Sequence, residues 1–170
     1  VNGDDTHLVA AARRGEREAY GALVERHWCR LVRLARSVVG DLEAEDVVQD
    51  SLVVAWRRLP QLADAGHFGA WTTRIVVRRC LRRVGFLRRF LAFDSVPERS
   101  HAPDPADGIA VWEVLARLAP RQRAVLHLTV VEGMTDAEIA VRLGITAGSV
   151  RAHRRRARER VAVIVTGGTT

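Results

Sequence analysis

A chain of 170 residues, 48% of them hydrophobic, is too apolar to be disordered and can build one medium domain or two small ones. Two cysteines, Cys29 and Cys80, exclude a disulfide framework, and no apolar run approaches the roughly 18 residues of a membrane helix. The net charge is +7 and unevenly spread: nine arginines face one acid in 51–93 and nine face four in 121–170, while 1–50 and 94–120 are net acidic. Two basic blocks separated by acidic ones predict two distinct polyanion-facing surfaces. The N-terminus, with Asp4 and Asp5, lacks a basic-then-apolar signal pattern, so a soluble, cytoplasmic protein without stable membrane insertion is expected. His27 stands two residues before Cys29, a weak metal signal, and no metal site or cofactor is expected.

Apolar residues recur with a helical period and hairpin signals are scarce, so the chain reads as all-α. A first helix fits near 5–14 and stops before Gly15. A second runs from Glu16 to Val39, with Tyr20, Leu23, Val24, Leu31, Leu34, Ala35 and Val38 on one face, and stops at Gly40. A third follows Asp41 and ends near Leu59, before Pro60. After a loop at 60–66, a fourth runs from His67 to Val84. The segment 86–93, FLRRFLAF, either extends that helix or packs against a partner. Residues 94–107, rich in proline and poor in apolar residues, read as a flexible linker between units at 1–93 and 108–170. Beyond it, helices fit near 108–118, 121–132, 135–143 and 147–164, broken at Pro120, Gly133 and Gly144.

Thr135, with Glu138 three residues on, forms a capping box for a short helix whose buried side is Ala137, Ile139, Ala140 and Leu143. A turn at Gly144-Ile145-Thr146 then leads into a strongly basic helix, a helix-turn-helix pattern. At about 100° per residue, Val150, Ala157, Val161 and Ile164 share its packing side, while Arg151, Arg155 and Arg158 lie away from it with the small Ala152. Arginines so placed can reach guanine edges in a major groove. On the fourth helix Arg74, Arg78 and Arg82 form a ridge flanked by Arg79 and Arg83, opposite Val76, Val77, Cys80, Leu81 and Val84. Five arginines with no acid on the same helix favour phosphate binding. Trp71, within that sector, either stacks on an unpaired base or plugs the core. The third helix packs through Val48, Leu52, Ala55 and Leu59, and clusters Asp46, Gln49 and Asp50 on another side. That cluster suits docking to a basic helix or simple solvation.

These motifs, in this order, resemble a bacterial RNA polymerase sigma factor of the extracytoplasmic-function (ECF) type, over roughly residues 5–165. AEDVVQDSLVVAWRRL (44–59) is similar to the core-polymerase-binding helix, HFGAWTTRIVVRR (67–79) to the segment reading the −10 element, and 118–161 to the domain reading the −35 element. The resemblance implies that Asp46, Gln49 and Asp50 contact the polymerase's largest subunit. It implies that the loop at 60–66 captures a flipped base, so that opening and reading the strand become one act. It also implies that Ser149, Arg151, Ala152 and Arg155 sit on the −35 recognition helix. His153 stands there where arginine or another polar residue is common, and Arg154 where an apolar one is usual, so that either Arg154 snorkels outward or its helix packs loosely. Arg74 and Ile75 replace a tryptophan pair of housekeeping sigma factors, which implies closer promoter matching. Core RNA polymerase, promoter DNA and an anti-sigma factor are the implied partners.

Two other classes compete. A response-regulator-type helix-turn-helix factor would share the C-terminal look but needs an α/β receiver or ligand domain, which the helical first 93 residues do not offer. No nucleotide-binding loop, nucleophile elbow or metal triad supports an enzyme.

Overall fold

A computed structural model describes residues 5–91 and 114–167. Its helices are α1 (Thr6–Arg13), α2 (Arg17–Val39), α3 (Asp41–Arg58), α4 (Phe68–Leu91), α5 (Pro120–Val130), α6 (Asp136–Leu143) and α7 (Ala147–Gly167). Two short 3₁₀ turns, Leu59–Gln61 and Ala65–His67, join α3 to α4. Among the described residues there is no strand, so the chain is all-α.

Local chemistry sets most boundaries. Gly40 closes α2 and opens α3 at φ 91°, a left-handed value that lets two helices meet without a longer loop. Pro60 ends α3 and Pro120 opens α5, where its missing N–H breaks no helical bond. At α5, Gln122 Oε1 accepts from the Ala119 N–H at 3.1 Å, and alanine has no oxygen to return the bond. α4 runs through Gly85 to Leu91, well past Val84, so the first part of 86–93 extends the helix. Residues 92 and 93, the linker at 94–107 and most of the 108–118 helix lie outside the described residues. A helical turn at 114–116 is what is described of that last helix.

Two apolar clusters organise the fold. The smaller ties α1 to the start of α4 through Val9, Ala12, Leu23, Leu59, Leu62 and Phe68. Tyr20 and Trp56 meet over it with ring centres 4.7 Å apart and planes tilted by 58°, and Tyr20 O–H donates to the Leu52 carbonyl at 2.6 Å. Burial pushes the Tyr20 hydroxyl up to about 12. The larger cluster crosses the linker. Leu31, Leu34, Val38, Val48 and Val76 share it with Ala124, Val125, Leu128, Ile139 and Val150 of α5–α7. Each fully buried Leu contributes roughly 1.5–3 kcal/mol.

α1 is also tied by charge. Asp5 is buried and accepts from Arg26 Nη1 and His27 Nε2, both at 2.7 Å. Burial pushes the imidazoles of His27, His127 and His153 below their usual 6.5. Below that pH the unfolded chain binds protons that the folded chain resists, so stability rises with pH and is lost as pH falls below about 6.5. The melting temperature, followed by helical circular dichroism, is expected to drop between about pH 7 and pH 5, and to drop less in His27→Gln, which removes one of the three sites.

Candidate functional site

Asp46, Gln49 and Asp50 lie exposed on α3, opposite the buried Val48 and Leu52. They do not stand apart from the arginines of α4. Arg79 Nη2 pairs with Asp50 Oδ2 at 2.6 Å and Arg83 Nε with Glu43 Oε2 at 2.6 Å. Glu43 raises the Arg83 guanidinium further above its ordinary value. Acids and arginines line one open groove of about 600 Å³ between α3 and α4. Helix α4 carries no acid of its own, and its partners come from a neighbouring helix. Glu43 was missed in the sequence, although it shares a face with Asp46 and Asp50 at i, i+3 and i+7. Beside Gln49 a second, mostly apolar groove of about 490 Å³ opens between α2 and α3, lined by Tyr20, Val24, Trp28, Leu52, Val53 and Trp56.

Along α4 the wheel holds: Val76, Val77 and Cys80 are buried, Arg78 and Arg82 exposed. Arg74 Nη2 donates to the Val141 carbonyl of α6. Trp71 is half-buried against Phe68, ring centres 6.1 Å apart, so its ring packs on the smaller cluster. Thr72 and Thr73, also buried, bond back to the Phe68 and Gly69 carbonyls at 2.9 and 2.7 Å. In the loop before α4, Asp64 accepts from the Gly66 N–H at 2.9 Å and pairs with His67 at 2.7 Å. Those two bonds, the Gly66 one first, hold its carboxyl below the usual range.

Helices α6 and α7 form the helix-turn-helix. Thr135 and Glu138 close the capping box, with the Thr135 N–H donating to Glu138 Oε2 at 2.8 Å. The Thr135 hydroxyl, which donates to the same Oε2 at 2.7 Å, and after it this N–H hold the Glu138 carboxyl below its usual range. Gly144 takes the left-handed conformation, φ 67°, that turns the chain into α7. Val150 and Ala157 are fully buried, and Arg151, Arg155 and Arg158 are exposed. Ala152 and His153 are half-buried, and the Ser149 hydroxyl bonds Thr146 at 2.9 Å. Ala137, expected on the packing side of α6, is exposed, because that helix buries only Ile139 and Ala140 fully. Arg154 neither loosens its helix nor reaches solvent alone. It forms a two-bond pair with Asp136 across the turn, at 2.6 and 3.0 Å. Asp136→Ala removes that pair and an acid favourable at a helix start, and is expected to cost about 1–2 kcal/mol in urea unfolding.

Comparison with known proteins settles the family. Residues 23–90 match Sigma-70 region 2, and residues 109–161 match Sigma-70 region 4. The chain belongs to the ECF RNA polymerase sigma factors. It is 31% identical to NccH of Alcaligenes xylosoxydans xylosoxydans, over 95% of this chain and 94% of that one. It is 34% identical to SigM of Mycobacterium tuberculosis, over 93% and 83%. The solved structure of CnrH in complex with the cytosolic domain of CnrY superposes with a TM-score of 0.72 at 30% identity, covering 97% of this chain and 99% of that one. RpoE of Bartonella quintana, solved with the anti-sigma factor NepR, shares the fold at 19% identity and a TM-score of 0.71. This sigma factor therefore acts in promoter-directed transcription initiation, and the response-regulator alternative falls with the match of its N-terminal helices to region 2. No described helix of the sigma factor is long and apolar enough to cross a membrane.

Proposed function

We propose that residues 1–93 dock on core RNA polymerase and read the −10 element, that 94–107 link, and that 108–170 read the −35 element. The observation that carries this reading is the exposed polar face of α3 lying beside an apolar groove, while two separate arginine arrays occupy α4 and α7. Asp46, Gln49 and Asp50, continuous with the groove lined by Trp28 and Trp56, make an amphipathic face suited to a basic helix of the polymerase. Arg74, Arg78, Arg79, Arg82 and Arg83 grip phosphate near the −10 element, with Trp71 supporting their helix from its packing side. Ser149, Arg151, Ala152, His153, Arg155 and Arg158 face the −35 element. The protein works in the cytoplasm as a specificity factor without cofactor, and catalysis belongs to the polymerase. An anti-sigma partner is proposed because CnrH, so similar over its whole length, was solved with the cytosolic domain of CnrY.

The direct test is transcription by core polymerase plus this chain on fragmented genomic DNA, with start sites mapped. Promoter-specific transcripts are expected, and their absence on every template would overturn the reading. Within it, Arg151→Ala is expected to cost about 1–3 kcal/mol and relax preference at one −35 position. Arg78→Ala should instead weaken all promoters alike and reduce the salt slope by about one unit. A promoter library transcribed with each variant separates the two.

A further inference from the structure

The segment that joins α3 to α4 is pinned on one side and open on the other. Leu59, Leu62 and Phe68 are buried and Ala65 is half-buried, the period of three that successive 3₁₀ turns place on one face. Pro60, Gln61, Ala63, Asp64, Gly66 and His67 are exposed. Turns this short hold poorly by themselves. They rest on α1, whose Val9 and Ala12 share the smaller apolar cluster with Leu59, Leu62 and Phe68. Arg13, the last residue of α1, adds a polar tie. Its Nε donates to the Leu59 carbonyl at 3.4 Å and its Nη2 to the Leu62 carbonyl. Leu59 opens the first 3₁₀ turn and Leu62 caps it, so one planar guanidinium fixes both ends of that turn. The Leu62 N–H closes the same turn on the Leu59 carbonyl at 3.2 Å.

The far end of the segment is also referred to α1. Asp5, just before α1, accepts from His27, and the His27 ring lies 5.4 Å from that of Phe68. A Cβ on Gly69 would stand 3.0 Å from His27 Cε1, so the glycine admits the imidazole against the first turn of α4. Between these two ties the exposed side carries the Gln61 amide, the Asp64 carboxylate and the His67 imidazole. Such groups can hydrogen-bond the edge of a base.

Resting on the −10 reading proposed above, those groups directly precede the arginine ridge of α4 and meet bases where the ridge meets phosphate. Hydrogen-bond reading fails when donor and acceptor move by a few tenths of an ångström or turn out of line. We propose that Arg13 is a positioning residue for that reading: through the Leu59 and Leu62 carbonyls it sets where the 60–67 surface presents its polar groups. The competing role for an exposed arginine is a phosphate contact, and the two roles leave different traces. Loss of a phosphate contact weakens all promoters alike and lowers the salt slope. Loss of a positioning residue relaxes one base preference and leaves the salt slope unchanged.

Two measurements on the full chain test this. Without polymerase or DNA, the Leu62 amide should exchange about tenfold faster in Arg13→Met, with exchange in α2 and α3 unchanged. With core polymerase, a promoter library randomised across the −10 element should show discrimination at one −10 position reduced about tenfold. The −35 preference and salt slope should stay at wild type, and Arg13→Lys, a cation able to reach one of the two carbonyls, should fall between. Wild-type exchange at Leu62 in Arg13→Met overturns the proposal whatever the promoters do. So does a uniform loss across the library with a lower salt slope, which makes Arg13 a phosphate contact. Gln61→Ala combined with His67→Ala keeps failure of the proposal distinct from failure of the −10 reading. If that variant alters a −10 preference and Arg13→Met does not, the positioning role falls and the reading stands. If neither alters one, reading by this segment falls and the positioning role with it.

Discussion

Combining Asp46→Ala, Gln49→Ala and Asp50→Ala is expected to lower affinity for core RNA polymerase by more than about a hundredfold. A hydrogen bond to a charged group is worth about 1.5–3 kcal/mol, and two carboxylates are removed with one amide. Folding should barely notice. All three side chains are exposed, and the Asp50–Arg79 pair that is lost joins groups 66% and 35% exposed. Pairs of that kind contribute at most about 1 kcal/mol. Helical content and melting temperature therefore serve as controls, and competition against a labelled wild-type chain for limiting core enzyme measures the effect. Undiminished affinity in a folded triple variant would remove these residues from the docking face.

The second large effect falls on stability. Leu128→Ala is expected to cost about 2–5 kcal/mol, since Leu128 is fully buried and truncation leaves a cavity. Its position makes the result informative beyond its size. Leu128 belongs to the cluster that also contains Leu31, Val48 and Val76. The loss should reach the N-terminal helices, and denaturant unfolding should remain one transition shifted as a whole. A variant in which only the C-terminal helices melt early, seen as a split in amide exchange protection, would mean that the two halves fold independently.

Those halves illustrate what a sequence carries on its surface. Gly40, Pro60, Pro120, the Thr135–Glu138 box and Gly144 act within a few residues, and the helix ends that they set were legible to within about two positions. α4 ran longer than expected because Gly85 weakens a helix by about 1 kcal/mol without breaking it. Side-chain partners were not legible in the same way. His27 meets Asp5 across 22 residues, and Arg30 meets Glu132 across 102. No periodicity relates positions so far apart. The wheel of α4 alone showed five arginines without acids, and only its packing on α3 brings Glu43 and Asp50 to them. Arg154 sat where an apolar residue was expected, and its answer, Asp136, lies 18 residues upstream on the preceding helix.

The two cysteines have opposite surroundings. Cys80 is fully buried in α4, and burial pushes its thiol up to about 12. At pH 7 only about one such thiol in 10⁵ is ionised, so it is inert toward electrophiles. Cys29 is exposed on α2, next to Trp28 and to Arg30. The natural chain thus comes with one addressable thiol, on the exposed side of α2. A maleimide dye attaches there without any engineered cysteine.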